Sequence, residues 1–315
     1  MNGAADSSGP EALPAALARL LPRLGGIGVV DRLSSLSGSD FTSVMLEVAR
    51  RRAAKETPAS VLRRYTSDRF VQPGTVPWWP LRRAEDLLLG RLPAGTEVLV
   101  LAPLVPLGTH SALGHISQHR VVTAMRACEV AADATNALAL EAAARRRRMK
   151  EGVVRLAAVQ REVRAQQVDG ATSFAHFSLF ALVTAGRDQG SYRFEQDALA
   201  EHLRCAASGL AAAGRQEVQV ALTPLSDAGT RIAALVTEEL SPVPVDIVQD
   251  RDRAAGRGYY SDLCFKVNAR VGGELAEFGD GGFTDWGTRL TADNKERLLI
   301  SGLGVDRLAL ALGPP

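Results

Sequence analysis

Residues 301–312 read SGLGVDRLALAL, and this stretch limits the fold of the chain more closely than any other. Residues 297–301 suit a strand; the glycines at 302 and 304 punctuate it and open a helix in which Val305, Leu308, Ala309 and Leu312 share one face. A strand that runs through two glycines into a one-faced helix needs a packed layer to lie against. Arg307 stands off the apolar stripe in the first helical turn, where unpaired backbone N–H groups and the helix dipole favour an anion such as phosphate.

Upstream, VVRLAAVQREVRAQQ (153–167) is rich enough in valine for a strand, and SFAHFSLFALVTAG (173–186) reads as its return, with VDGA as the turn between them. Strand alternation puts Val159, Arg161 and Val163 on one face and Gln160, Glu162 and Arg164 on the other. Arg161 thus sits among apolar neighbours, where a charge needs either an acidic partner from elsewhere in the fold or a bound anion. The residues favour neither.

Helical patterning covers 12–24, 40–56, 134–152 with Gly152 as terminator, 195–213 and 227–240. EVQVALTP (217–224), VPVDIVQ (243–249) and GRGYYSDLCFKVNARV (256–271) read as strands, and TEVLVLAPLVPLGT (96–109) as a strand entering a Pro-punctuated loop. HRVVTAMRACEVAAD (119–133) reads as an amphipathic segment, YTSDRFVQPGTVPWWP (65–80) as a packed loop, and EFGDGGFTDW (277–286) as a glycine-dense loop that lets backbone approach a ligand. Antiparallel-looking strands with interspersed helices indicate an α+β fold with a mixed, mainly antiparallel sheet flanked by helices. The expected organisation is a flexible tail over 1–12, a helical N-terminal region over 13–95 and a core over 96–315.

Composition excludes several classes. A net charge of +2 over 315 residues is not the field of a dedicated nucleic-acid binder, and the run Arg145–Arg148 with Lys150 reads as a solvated helix face. Three scattered cysteines without a C-x-x-C pair argue against a disulfide framework or zinc site and suit a reducing cytoplasm. The N-terminus lacks a basic segment leading an apolar core, and no apolar run reaches spanning length, so neither a signal peptide nor a membrane is expected. His110, His115, His119, His176 and His202 form no convincing metal set, and GLGVDR lacks the third glycine of a dinucleotide fingerprint.

Taken in order, these pieces resemble the catalytic core of class II aminoacyl-tRNA synthetases, in the histidyl-type branch, over residues 96–313. QREVRAQQVDGATSFAHF resembles motif 2, which implies that Arg161 binds the substrate carboxylate and α-phosphate and that Phe177, with His176 beside it, stacks on adenine. LLISGLGVDRLALAL is similar to motif 3, which implies that Gly302, Gly304 and Arg307 hold the terminal phosphates of ATP. GRGYYSDLCF and GDGGFTDW resemble the walls of the amino-acid pocket, placing Tyr259, Tyr260, Gly281 and Gly282 there, and PLGT (106–109) resembles the loop that meets the α-amino group, with Thr109.

The resemblance implies ATP and Mg²⁺ as cofactors, with Arg161 and Arg307 as the catalytic pair. Their task is activation of an amino acid or related carboxylate as an acyl-adenylate for a tRNA, carrier-protein or small-amine acceptor. It also implies a homodimer, built through residues 40–80, and a free-standing core without the anticodon-binding domain. The family's pattern breaks at four places: Leu107 stands at a glutamate, Val183 at the acid that reads a histidine side chain, Ala255 at the catalytic arginine with Arg257 nearest, and Val163 at the motif 2 glutamate beside Glu162. A second expectation is therefore a catalytically silent paralogue acting as a ligand-binding regulatory subunit. The two readings differ in whether Arg161, Arg307 and Phe177 face one cavity.

Overall fold

A computed structural model describes residues 14–149, 151–165, 174–215 and 217–312, so the 1–12 tail and the VDGA turn fall outside the described residues. Four helices come first: α1 (Ala15–Leu20), α2 (Gly28–Ser34), α3 (Gly38–Ala53) and α4 (Pro58–Ser67). The local sequence accounts for their starts. Ser37 accepts the Asp40 N–H ahead of α3, and a reciprocal Thr57/Ser60 capping box with Pro58 opens α4. None of the four buries a side chain of its own.

Helix α5 (Trp78–Leu89) begins within the stretch expected to be a loop, with Pro80 in its first turn, where the missing N–H has no intrahelical partner to lose. The loop expectation holds only for residues between α4 and α5. Ala84 and Leu88 are fully buried, and Leu88 meets Gly209 so closely that a Cβ there would lie 2.8 Å from Leu88 Cδ2. Although it precedes residue 96, α5 thus packs as part of the core.

The remaining elements are β1 (Glu97–Val98), β2 (Leu104–Pro106), α6 (Thr109–Gly114), β3 (Thr123–Ala124), β4 (Cys128–Val130), α7 (Ala134–Arg146), β5 (Val154–Val163), β6 (His176–Arg187), α8 (Arg193–Ala212), β7 (Gln219–Pro224), α9 (Asp227–Leu240), β8 (Asp246–Gln249), β9 (Ser261–Val271), β10 (Glu274–Thr284), α10 (Trp286–Thr291), β11 (Glu296–Gly304) and α11 (Val305–Leu312). An eight-stranded sheet runs in the order β1-β5-β6-β11-β10-β9-β7-β8, parallel only in its two outermost pairs and antiparallel between them. This is the mixed, mainly antiparallel α+β fold expected from the sequence. A small second sheet orders β2-β4-β3 and replaces the expected amphipathic segment over 119–133, whose turn is taken by Arg126 and Ala127 at positive φ.

Each face of the large sheet has its own core. On one, α5, α8, α9 and α11 cover Phe180, Leu182, Phe265, Leu299 and Leu303. On the other, Leu138, Ala139 and Ala142 of α7 lie over Leu156, Ala158, Ala181 and Ile300. A Leu or Phe side chain buried this fully contributes about 1.5–3 kcal/mol. Helix α7 thus forms the second covering layer of the sheet. Its basic run is solvated only in part: Arg147 and Arg148 are exposed, but Arg146 is buried, donates to both carboxylate oxygens of Glu296 at 2.9 and 2.8 Å and to Gly152 O at 2.7 Å, and Arg145 pairs with Glu97 and Glu141; Lys150 lies outside the described residues.

The glycine-dense stretch expected as a loop is strand β10. A Cβ on Gly279 would overlap the Gly302 carbonyl, and one on Gly281 the Ile300 carbonyl and the Phe265 ring. The glycines allow β10 to sit close to β11 and to the rings packed on it, at the cost of weak strand propensity. Among the described residues no helix is long and apolar enough to cross a membrane, and Cys128, Cys205 and Cys264 are all free thiols.

Candidate functional site

Strand β5 pairs with β6 so that Glu162 lies opposite Phe177, and Arg161 opposite Ser178. Alternation then sends these two pairs to opposite faces of the sheet. Gln160, Glu162, Arg164 and Phe177 belong to the α7 face, whereas Arg161 and His176 belong to the face covered by α5 and α11.

Arg161 is not core-facing in the sense expected. Its side chain is 36% exposed and it ends in a network: Nε donates to His176 Nδ1 at 2.8 Å, Nη1 to Ser178 Oγ at 3.3 Å, and Nη2 lies 3.6 Å from Asp306 Oδ1. His176 Nε2 in turn donates to Gln72 O at 2.6 Å, and the guanidinium lies so close to Gly74 that a Cβ there would overlap it. Asp306, 2% exposed in its side chain, also accepts the Ser178 N–H at 2.6 Å. Burial lifts the Asp306 carboxyl above its ordinary range, opposed by the Ser178 N–H and by Arg161. Of the two sequence-level alternatives, the structure supplies the acidic partner.

The α7 face carries the buried polar groups. Glu162 is fully buried; its Oε1 caps α7 by accepting the Ala134 N–H, and its Oε2 has no hydrogen-bond partner among the described residues. Burial pushes its carboxyl well above the usual range, Asp133 adds to the push, and Arg164 and the Ala134 N–H oppose it. Asn136, one helical turn in, is also fully buried, with neither amide atom in a well-aligned hydrogen bond, although the amide lies beside the Tyr259 hydroxyl. Gln160 Nε2 donates to Ala102 O at 2.7 Å and leaves Oε1 unpaired. Arg164 donates to Ala132 O at 2.9 Å, lies 3.7 Å from Asp133, and stacks 5.0 Å from the centre of the Phe177 ring.

Tyr259 and Tyr260 meet edge to face at 4.8 Å, and Tyr259 meets the buried Trp286 at 5.4 Å. The Tyr260 ring lies against Gly282, where a Cβ would come within 2.6 Å, and Gly302 faces Leu179 on the same side. Gly281 points instead to the opposite face, against Phe265. The arginine turned inward ahead of the tyrosines is neither Ala255 nor Arg257 but Arg253, a residue not singled out from the sequence. Its side chain is 3% exposed; it donates to Ala255 O at 2.8 Å, Phe265 O at 2.9 Å and Asp280 Oδ2 at 2.9 Å. The only sequence signal for it was an arginine three residues before a glycine in an otherwise polar loop. Arg257 reaches back to the carbonyls of Arg253 and Arg251.

Thr109 is buried at the start of α6, its hydroxyl on Pro106 O at 2.7 Å. Next to it, Glu129 accepts from Gly108 N, His110 N, His110 Nδ1 and Gln118 Nε2, while His110 Nε2 accepts the Ala132 N–H at 2.9 Å. Burial raises the Glu129 carboxyl, and these donors together outweigh it and hold the group below its ordinary value. The latch fixes the segment leading into α7. Gly304 lies against Arg307, whose guanidinium is exposed and donates to Glu277 O at 3.1 Å.

The structure therefore brings Phe177, Gly282, Gly302, Tyr259 and Tyr260 to one face and sends Arg161, His176 and Gly281 to the other. Arg161 and Phe177 thus lie on opposite faces of the sheet, and Arg307 stands exposed near the start of α11. Among the described residues no three His, Cys, Asp or Glu side chains gather as metal ligands.

Neither a protein-family model nor a curated protein sequence matches the chain. Solved structures do resemble it. An ATP phosphoribosyltransferase regulatory subunit/histidyl-tRNA synthetase from Bacillus halodurans superposes with a TM-score of 0.60 at 13% identity, over 77% of this chain and 82% of that one. Apo histidyl-tRNA synthetase from S. aureus gives 0.58 at 12% identity, over 76% of this chain and 72% of that one. A histidine–tRNA ligase subunit from Alicyclobacillus acidocaldarius gives 0.52 at 13% identity, over 76% and 95%. At these identities the likeness is one of fold alone, that of class II synthetase-like proteins.

Proposed function

We propose that this chain is a catalytically silent class II synthetase-like protein that binds a small ligand on its α7 face and regulates a partner protein. The observation that carries this reading is the register of β5 and β6, which puts Glu162 and Gln160, not Arg161, on the face shared with Phe177. Activation of a carboxylate by ATP asks a protein for preorganised positive charge on the transferring phosphate. On that face Arg164 is committed to Ala132 O, Asp133 and the Phe177 ring, and Arg253 to Asp280 and two carbonyls. A regulatory role accords with the likeness to the Bacillus halodurans protein, an ATP phosphoribosyltransferase regulatory subunit/histidyl-tRNA synthetase. The orphaned polar atoms of Glu162 and Asn136 support a ligand, because buried polar groups are normally paired. In this reading the homodimer expected of such cores is the unit that meets the partner.

Arg307, exposed and holding a single carbonyl, is the feature that favours the enzymatic alternative. ATP–pyrophosphate exchange with Mg²⁺, run against pooled amino acids and other carboxylic acids, separates the two. The expected result is no exchange above the protein-free background; exchange with any acid refutes the silent reading.

A further inference from the structure

Five ionisable side chains gather around the N-terminus of α7 and the facing end of β10: the carboxyls of Asp133, Glu162 and Asp280 and the guanidinium groups of Arg164 and Arg253. Acidic groups outnumber cationic ones there by three to two, and burial raises two of the three carboxyls, Glu162 and Asp280, above their ordinary ranges. The two cations are spent, Arg164 on Ala132 O, Asp133 and the Phe177 ring, and Arg253 on Asp280 and two backbone carbonyls. The remaining groups are acceptors or amphoteric, both on fully buried residues: Glu162 Oε2, without a partner among the described residues, and the Asn136 amide, which has only a poorly aligned approach to the Tyr259 hydroxyl. Asn136 lies at the Tyr259 hydroxyl, and Asp133 is within electrostatic reach of Glu162, Tyr259 and Asp280 alike. Phe177, Tyr259, Tyr260 and Asp280 are only half-buried and form the solvent-facing edge of the site.

Resting on the proposed ligand-binding role, we infer that this site takes a primary amine without a carboxylate, its ammonium donating to Glu162 Oε2 and Asn136 Oδ1 and its apolar body lying among the tyrosines and Phe177. An ammonium has three donors and no acceptor, which matches these two oxygens once its charge draws Glu162 into the carboxylate form. A ligand carboxylate would meet the carboxyls of Asp133, Glu162 and Asp280 and, among the described residues, no uncommitted cation, a loss rather than a gain. An amino acid is therefore discriminated against by its own carboxylate, which separates this site from one that would activate an acid.

The test is calorimetry on the full chain with phenethylamine, phenylalanine and 3-phenylpropionate, which share a ring and differ only in charged groups, plus ethylamine as a ring-free amine. Phenethylamine is expected to bind, phenylalanine at least tenfold more weakly, and 3-phenylpropionate not at all. Glu162→Gln, which keeps an oxygen for the Ala134 N–H, is expected to weaken phenethylamine at least tenfold with its cooperative unfolding intact. Asn136→Leu provides an independent second variant with the same expectation. Equal or tighter binding of phenylalanine or 3-phenylpropionate overturns the inference, as does failure of both amines at millimolar concentration, or unchanged affinity in both folded variants. Pyrophosphate exchange on the same preparations reports separately on the silent reading: amine binding with exchange sinks that reading alone, and no amine binding without exchange sinks the amine alone.

Discussion

Replacing Arg253 with methionine tests whether the inward arginine is a structural tie or a free cation waiting for an anion. The side chain is 3% exposed and makes three hydrogen bonds of 2.8–2.9 Å, to Ala255 O, Phe265 O and Asp280 Oδ2. Methionine fills much of the volume but strands all three acceptors. Removing one partner of a buried pair costs about 3–5 kcal/mol, chiefly because the other charge is left without compensation. For a chain of 315 residues that corresponds to a melting temperature lower by roughly 5–8 °C. Asp280 sharpens the expectation: burial already raises its carboxyl and Arg253 is the first influence holding it down, so in the variant it should titrate higher still. A folded pKa above the unfolded one gives stability that is present at acid pH and lost as pH rises, so the deficit should widen from pH 5 to pH 8. Guanidinium denaturation at both pH values supplies the numbers, and Arg253→Met/Asp280→Leu should recover part of the loss. A deficit under about 1 kcal/mol at both pH values would refute the structural reading.

Other expectations follow from the same geometry. Arg161→Ala should leave ligand affinity on the α7 face unchanged and lower stability by no more than about 1 kcal/mol, because its pair with Asp306 is partly exposed; a lost ligand response would return Arg161 to the site. Gly281→Ala should cost about 3 kcal/mol or prevent folding, since the new Cβ has the Ile300 carbonyl and Phe265 ring in its place, and expression with chemical denaturation reports it. His202, fully buried between the hydroxyls of Thr184 and Ser301, has its pKa pushed down to about 3 by burial, with Arg155 adding to the shift. Its neutral form adds stability above pH 6.5 that is lost toward pH 3, by at most about 1.4 kcal/mol per pH unit, so His202→Asn should flatten acid denaturation over that window. Glu162→Gln should gain on the wild type as pH rises from 5 to 8, because the raised carboxyl favours folding only while protonated; urea midpoints that track each other across that range would argue otherwise.

Where apolar periodicity was long, the sequence could be read directly: the hairpin of β5 and β6, helices α8 and α9, and the strand-to-helix passage at Gly304 all lie where their patterns place them. Function was harder because β5 carries charges on both faces, Arg161 on one and Glu162 on the other. Alternation separates the two sets without saying which set meets the ligand. That choice depends on where α7 and α11 pack, a long-range fact. Glycine misled for a related reason. In β10 its low strand propensity suggests a loop, yet the close approach of Ile300 and Gly302 carbonyls makes glycine the residue that allows the strand. Arg253 went unnoticed because its burial is created by Phe265 and Asp280, distant in sequence.

Helix α7 is fastened at both ends, by the Glu162 cap on Ala134 N and by the two-point grip of Glu296 on Arg146. A helix so held cannot swing as a lid, and the orphaned groups at its N-terminus are already in place before anything binds. Whatever fills that site therefore meets a rigid surface and incurs little ordering entropy in the protein, so small ligands can be held there by few contacts. The same rigidity restricts how occupancy could be signalled: the message would have to leave through the half-buried rings at the solvent-facing edge, not through movement of the helix.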